Sequence, residues 1–263
     1  MSQVARVPFT GYEQSISKAL DLIGAGERLP QDSLIILKPN LTNSSPPPVT
    51  TSVQAVEAVY RYCRAHTKAQ VIIGEGAGSG RTHDVYAALG YTEFAKREGI
   101  RLVDFNDAET VELENPDALQ LRKFHLPRIA QGAFIISIPV LKDHSFTKTT
   151  IAMKNMFGLA PAKHYAGGWN KAKLHSPSTD DSVVDVCLYK APDLSVVDAS
   201  VALTGGHLAG KKKHVNLILA GFDPVAVDAV GSQLLGHEPG WVHYLTAAEG
   251  RLGTMKDIQI VTA

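Results

Sequence analysis

The feature that most constrains this chain is an alternation. Short, unbroken apolar runs of strand length are separated by amphipathic stretches of helix length. Residues 33–37 (SLIIL), 70–73, 100–105, 133–140 (AFIISIPV), 194–198, 215–220 and 258–261 read as strands. Residues 50–66 read as a helix, with Thr51 and Gln54 placed as a capping box and Val53, Val56, Val59 and Tyr60 at helical spacing. Further helices are predicted over 84–97 (interrupted by Gly90), 147–157, 181–189, 224–235 and 241–250. Asp223 caps the 224–235 helix and Gly236 ends it. Strands separated by such helices argue for βαβ units: an α/β protein with a mostly parallel, Rossmann-like sheet flanked by helices. Wholly apolar strands fit a sheet covered on both faces. Residues 109–125 look like two extended pieces around Asn115-Pro116-Asp117. Residues 115–130 are then either a boundary between two lobes around a cleft or a surface hairpin; otherwise 1–263 reads as a single α/β domain.

Composition enters as exclusion. Lys and Arg total 26, as do Asp and Glu, so the formal net charge is zero. That argues against nucleic acid or an anionic membrane as the main partner. No apolar run approaches the ~18–20 residues of a membrane span. The opening MSQVARVPFTGYEQ lacks the apolar core of an export signal, so a cytoplasmic protein is expected. Two cysteines, Cys63 and Cys187, are too few for a disulfide framework or a four-thiolate iron–sulfur site. No intrinsic iron–sulfur cluster is expected.

In an open parallel sheet, ligands sit beyond the carboxyl ends of the strands. Lys38 and Asn40 follow the first predicted strand. Gly74-Glu75-Gly76-Ala77-Gly78-Ser79-Gly80-Arg81 follows the second. Strand, glycines, then helix is a layout that can hold phosphate on backbone amides. The loop lacks the Gly-Lys-Ser/Thr of a Walker motif and fits no dinucleotide register, so a turn without ligand stands beside the anion reading. Lys142, Asp143 and His144 follow AFIISIPV and lead into the predicted 147–157 helix. On that helix Lys148 and Asn155 would share a face, with Lys154 about 100° from Asn155. Residues 158–176 lack periodicity and read as a lid carrying Lys163, His164, Lys171, Lys173 and His175, with Tyr165 and Trp169 among them. Asp198 follows strand 194–198. Gly205 and Gly206 permit close backbone approach, and Lys211–Lys213 read as a solvated turn. Asp228 sits inside the apolar VAVDAVGS, where a carboxylate needs a partner, Lys142 or Lys38, or must face the cleft. His144, His164 and His175 match no compact metal motif, and no metal ligands are assigned.

The pieces Lys38-Pro-Asn-Leu, GEGAG with Leu89-Gly-Tyr, Ile138-Pro-Val-Leu-Lys-Asp-His144, Met153-Lys-Asn-Met-Phe-Gly158, Leu194-Ser-Val-Val-Asp198 and Ala220-Gly-Phe-Asp-Pro-Val-Ala-Val-Asp228 stand in an order that resembles the domain-of-unknown-function family 362. The resemblance covers about residues 30–250. Members of that family often carry Lys-Thr-His where this chain has Lys142-Asp143-His144, and some carry an appended ferredoxin module that this sequence does not show. A fainter similarity is to the lactate racemase family, which uses a nickel-pincer nucleotide; no cofactor ligand is carried over from it.

The residues together point to an enzyme acting on a small carboxylate- or phosphate-bearing metabolite. Lys38, Lys142, Lys148 and Lys154 would hold the anion, and His144 would transfer a proton, since imidazole titrates near neutral pH. Glu75 and Asp198 would orient a lysine or bind a divalent metal ion. The alternative is a non-catalytic binding or carrier module for a cofactor or metallocentre. Beyond the small anionic ligand, a homodimer or a redox partner is the partner expectation.

Overall fold

A computed structural model describes residues 1–263. The strands, in chain order, are β1 (Gln3–Pro8), β2 (Ile35–Pro39), β3 (Val71–Glu75), β4 (Leu102–Asp104), β5 (Thr110–Glu114), β6 (Lys123–Pro127), β7 (Phe134–Ile138), β8 (Val140–His144), β9 (Lys148–Thr150), β10 (Leu194–Thr204), β11 (Lys211–Gly221) and β12 (Gln259–Thr262). Ten of them form one mixed, mostly parallel sheet ordered β12-β1-β11-β10-β7-β2-β3-β4, with β8 extending from β10 and β9 pairing β8. β2 pairs in parallel with both β3 and β7, and β7 with β10.

The chain runs outward from β2 to β3 and β4, then returns to place β7 on the other side of β2. At such a reversal the connections leave the strand ends in opposite directions and a crevice opens between them. The residues following β2, β3 and β7 surround that crevice.

The apolar strands are buried on both faces, as their continuous patterning requires. Ile35 and Leu37 of β2 join the core under helices Tyr12–Leu22, Val53–His66, Thr82–Ala88 and Tyr91–Glu98. Ile36, one residue out of phase, joins the opposite core under helices Thr179–Tyr189, Pro224–Leu235 and His243–Ala248. The Pro224–Leu235 helix starts and stops as its sequence requires. Asp223 accepts from Val225 N and Ala226 N at 2.9 and 3.0 Å, and Gly236 supplies the left-handed end at φ 93°. Residues 115–130 are the turn and second strand of a two-stranded hairpin, β5–β6, whose turn amides at Leu119, Gln120 and Leu121 donate to Asp185.

Several expectations are corrected. The helix cap at residue 52 is Ser52, accepting from Gln54 N; Thr51 is not a cap. Thr51 instead donates to Ile138 O at 2.6 Å and accepts from Asn40 N at 2.9 Å, tying the ends of β2 and β7 together. AFIISIPV is two strands, because Pro139 has no N–H for a ladder. The predicted 147–157 helix is absent over its first half. Thr147, Thr149, Thr150 and Ile151 are β-branched and stiff, and their run extends as β9; Ala152–Asn155 is α-helical and continues as a 3-10 turn over Met156–Leu159. Lys211–Lys213 belong to β11, an 11-residue strand, not to a turn. β1 and the Tyr12–Leu22 helix are additional elements not expected above, although the helix places Ile16, Ala19 and Leu20 on one buried face at helical spacing.

Asp228 is not a cleft residue. It is fully buried and accepts from Ala152 N at 2.8 Å, Met153 N at 3.2 Å and the Tyr244 hydroxyl at 3.0 Å. Burial pushes its carboxyl up to about 7, while those donors pull it down. The carboxylate thus anchors the start of the short Ala152–Asn155 helix, which carries two site residues. Asp228→Ala would strand two buried amides, Ala152 N and Met153 N, and remove one of the two partners of the Tyr244 hydroxyl. Its expected cost is about 3 kcal/mol or more, read as a lower urea midpoint at unchanged slope.

Candidate functional site

The crevice at the carboxyl ends of β2, β3 and β8 encloses about 440 Å³. Its floor is an ion pair. Lys38, at the end of β2, is fully buried and its Nζ bonds Glu75 Oε2 at the end of β3. Lys38 Nζ also reaches Pro39 O at 3.3 Å and Asn155 Oδ1 at 3.4 Å. Glu75 Oε1 accepts from Gly76 N at 2.9 Å. Burial pushes Lys38 down and Glu75 up, against the pull of each partner's charge. Asn155 braces the pair from above, donating to Lys38 O at 3.1 Å and to Ser137 Oγ at 3.0 Å. Gly158 lies so close that an added Cβ would overlap Glu75 Oε1 and Lys38 Nζ.

Three further lysines line the cavity, each 8% exposed or less, and none forms a salt bridge. Lys142, on β8, donates to Asn40 Oδ1 at 2.6 Å and Val49 O at 2.7 Å. Burial first, then the nearby Lys154 charge, lowers it to about 7. Lys154, on the short helix clamped by Asp228, has its Nζ 4.4 Å from the centre of the Phe157 ring, and burial lowers it to about 7. Lys171 donates to Asn106 Oδ1 at 2.6 Å and to Ala160 O; burial brings it to about 7 against the pull of Glu75.

Three histidines share the cavity wall. His144 and His207 stack with ring centres 4.2 Å apart, and His175 lies 6.3 Å from His144. Phe146 N donates to His144 Nδ1 at 3.1 Å, so the proton of the neutral ring sits on Nε2. His175 Nδ1 lies 3.0 Å from Lys171 O and must be the donor there. Burial, then Lys154 and the other imidazoles, takes His144 to about 2. Burial, then Lys142 and Lys154, takes His207 to about 4. Both are neutral at pH 7, and burial, then Lys154, lowers His175 as well. No three His, Cys, Asp or Glu side chains stand where they would hold a metal ion.

Of the residues singled out in the sequence, Asn40, Glu75, Gly76, Gly78, Lys142, His144, Lys154, Asn155 and His175 line the cavity. Lys38 lies beneath it. Gly74 is inside β3, where an added Cβ would meet Phe105. Lys148 does not belong to the site. It is exposed at φ 61° and lines a separate groove with His237 and Trp241, because the helix that would have aimed it inward is a strand. His164 stacks on His125 at 3.7 Å, beside the β5–β6 hairpin. Asp198 accepts from the Tyr12 hydroxyl at 2.8 Å and Ser200 Oγ at 2.6 Å, outside the cavity lining. Gly205 and Gly206 also lie outside it; Gly205 N donates to Asp143.

The glycine-rich loop does not present a row of free amides. Gly76 N, Ala77 N, Gly78 N and Ser79 N bond Glu75, Thr82, Leu41 and Thr42 respectively. The loop instead lets neighbours approach: an added Cβ at Gly76 would sit 2.7 Å from Gly158 O and 2.9 Å from Lys171 Nζ. Segment 158–176 is pinned on that loop, with Asn170 Nδ2 donating to Ala77 O at 2.8 Å and Gly80 O at 2.9 Å. His207 was missed by sequence reasoning; its signal is Gly205-Gly206-His207 just after β10. Sequence reasoning ranks Lys171 only among the charges of its segment.

A family model described as "Domain of unknown function (DUF362)" matches residues 35–233. The chain is also 27% identical over 234 residues to "Thylakoid-associated protein sll1697" of Synechocystis sp. (strain ATCC 27184 / PCC 6803 / Kazusa), covering 88% of this chain and 71% of that protein.

The lysines dictate how stability varies with pH. Each keeps its proton in the unfolded chain up to about 10.5 but loses it in the folded one at about 7. The unfolded state therefore binds more protons between these values, and stability rises with pH across that interval. Between pH 7 and about 9 the rise approaches 1.4 kcal/mol per pH unit for each lysine. Lys154→Met removes one buried, unpaired cation. It should raise stability at pH 7 by about 1–4 kcal/mol and flatten the slope, measured by urea unfolding across pH.

Proposed function

The chain belongs to the domain-of-unknown-function family 362, and from that premise we propose that its cleft binds a small carboxylate- or phosphate-bearing metabolite and moves a proton on it. One observation carries the reading. Lys142, Lys154 and Lys171 are nearly wholly buried in a single cavity whose one carboxylate, Glu75, is already paired with Lys38. Burying an ammonium without a counter-charge is costly, and Lys154 repels Lys142. A bound anion supplies the missing charge, and the ligand then stabilises the arrangement that the protein alone strains to hold.

The roles follow from the surroundings. Lys142, fixed by Asn40 and Val49, is the anchor for the anion. Lys154 lies over the Phe157 ring with no hydrogen-bond partner, and so is free to carry a proton. Both titrate near neutral pH, where an acid–base group is most effective. His144 is held neutral by burial and neighbouring cations, so its part is to offer Nε2–H as a hydrogen-bond donor, with proton transfer falling to the lysines. Such proton transfer is racemase- or isomerase-like chemistry. The strand order around β2 supports a Rossmann-like reading of the sheet. The two free cysteines, Cys63 and Cys187, support a reducing, cytosolic place for the reaction, and no helix is long and apolar enough to cross a membrane. The Synechocystis relative is named for its thylakoid association.

Acetate, ionised at both pH 6.5 and 8.5, tests the reading by isothermal titration. Affinity should fall at least tenfold from the lower to the higher pH as Lys142 and Lys154 lose their protons, with proton uptake on binding. Lys142→Met and Lys154→Met should each weaken binding tenfold or more, while Lys163→Met, at an exposed position, should change nothing. Binding indifferent to both cavity lysines, or to pH, would overturn it.

A further inference from the structure

The mouth of the cleft says more about the ligand than its floor. Seven large hydrophobic side chains are exposed in this protein, and three of them, Phe146 (63%), Trp169 (48%) and Leu208 (47%), ring this one opening. Scattered surface apolar residues need no explanation, but a group converging on a polar cavity marks a contact site. The three come from separate loops: after β8, within segment 158–176, and between β10 and β11. The fold brings them together only here.

Behind them the wall is built of rings. His175 is met edge-on by Trp169 at 5.5 Å and 68°, by Phe146 at 5.9 Å and 65°, and by Phe157 at 5.6 Å and 84°. His144 and His207 stack beside it, at an interplanar angle of 21°. A contiguous cluster of rings, some stacked and some edge-on, thus runs from the exposed rim to Phe157, under Lys154 Nζ. Rings recognise rings by offset stacking and edge-to-face contact, which a saturated chain cannot reproduce.

Resting on the anion reading of this same cleft, we infer that the ligand is a planar, conjugated organic anion: its carboxylate or phosphate group lies against Lys142 and Lys154, and its flat body lies along the ring band, covered at the mouth by Trp169, Phe146 and Leu208. The cationic floor selects the charge; the wall selects the shape. A small aliphatic acid would satisfy the lysines and leave the rim in water.

Three probes separate these contributions by titration calorimetry at pH 6.5: 2-naphthoate, its saturated counterpart decahydro-2-naphthoate, and acetate. 2-Naphthoate should bind at least tenfold more tightly than either of the others. Trp169→Ala, at an exposed position where folding is readily checked by circular dichroism, should weaken 2-naphthoate at least fivefold and leave acetate within twofold. If the saturated acid binds as well as the flat one, or Trp169→Ala leaves 2-naphthoate unchanged while acetate still depends on Lys142, the planar assignment fails and the anion reading stands. If 2-naphthoate binds Lys142→Met as tightly as the unaltered protein, the rim is an apolar surface unconnected to the cationic floor, and the inference is overturned. If acetate and 2-naphthoate both ignore Lys142 and Lys154, the anion reading falls and takes the inference with it.

Discussion

The Lys38–Glu75 pair is the constraint on which the site is built. Two charges at the ends of adjacent central strands are taken wholly out of water, and such a pair survives only when every remaining hydrogen-bonding position is filled. Asn155, Gly76 N and Pro39 O do that filling. The consequences spread outward. Asn155 must be held still, so its short helix is clamped at its first amides by Asp228. The chain beyond it must pass at contact distance, so residue 158 is glycine. Segment 158–176 then comes down on the glycine-rich loop, bringing Lys171 to Asn106.

Because Glu75 is committed to Lys38, the cavity above inherits cations without counter-charges. Lys142, Lys154 and Lys171 are crowded and desolvated, and each is pulled toward neutrality at physiological pH. Burial and the same field keep His144 and His207 uncharged. An arrangement of this kind is a poor design for stability and, on the proposed reading, a good one for seizing an anion. On that reading stability and function pull in opposite directions at the same side chains.

Much of the architecture was legible in the sequence. The runs SLIIL and AFIIS are apolar at every position because both faces of the sheet are covered, and they signalled parallel strands. Asp223 and Gly236 marked the ends of their helix through local hydrogen bonding that needs no distant partner. Asn40, Glu75, Gly76, Gly78, Lys142 and His144, singled out by following each strand, do line the cleft, since strand ends in such a sheet share one edge. What misled was local ambiguity. The 147–157 stretch has helical apolar spacing but a β-branched start, and the stiffness of Thr147–Ile151 won; Lys148 therefore points away. Asp228 looked like a cleft acid because a carboxylate in an apolar run must have partners, and its partners proved to be backbone amides rather than lysines.

Most of the strands and helices, and the gathering of polar groups beyond the strand ends, were already written in the chain, because they depend on periodicity, capping and the missing N–H of proline; the 147–151 and 211–213 stretches were not. Which charges are paired came from the fold alone. That Lys38 belongs to Glu75 while Lys142 and Lys154 stand alone follows from distances between strands, and from water excluded by segments far apart in the chain. The gathering of Phe146, Trp169, His175 and His207 was likewise settled by three loops meeting. The sequence reports what each residue can do, whereas charge compensation and stacking are properties of pairs, and pairs are made by the fold.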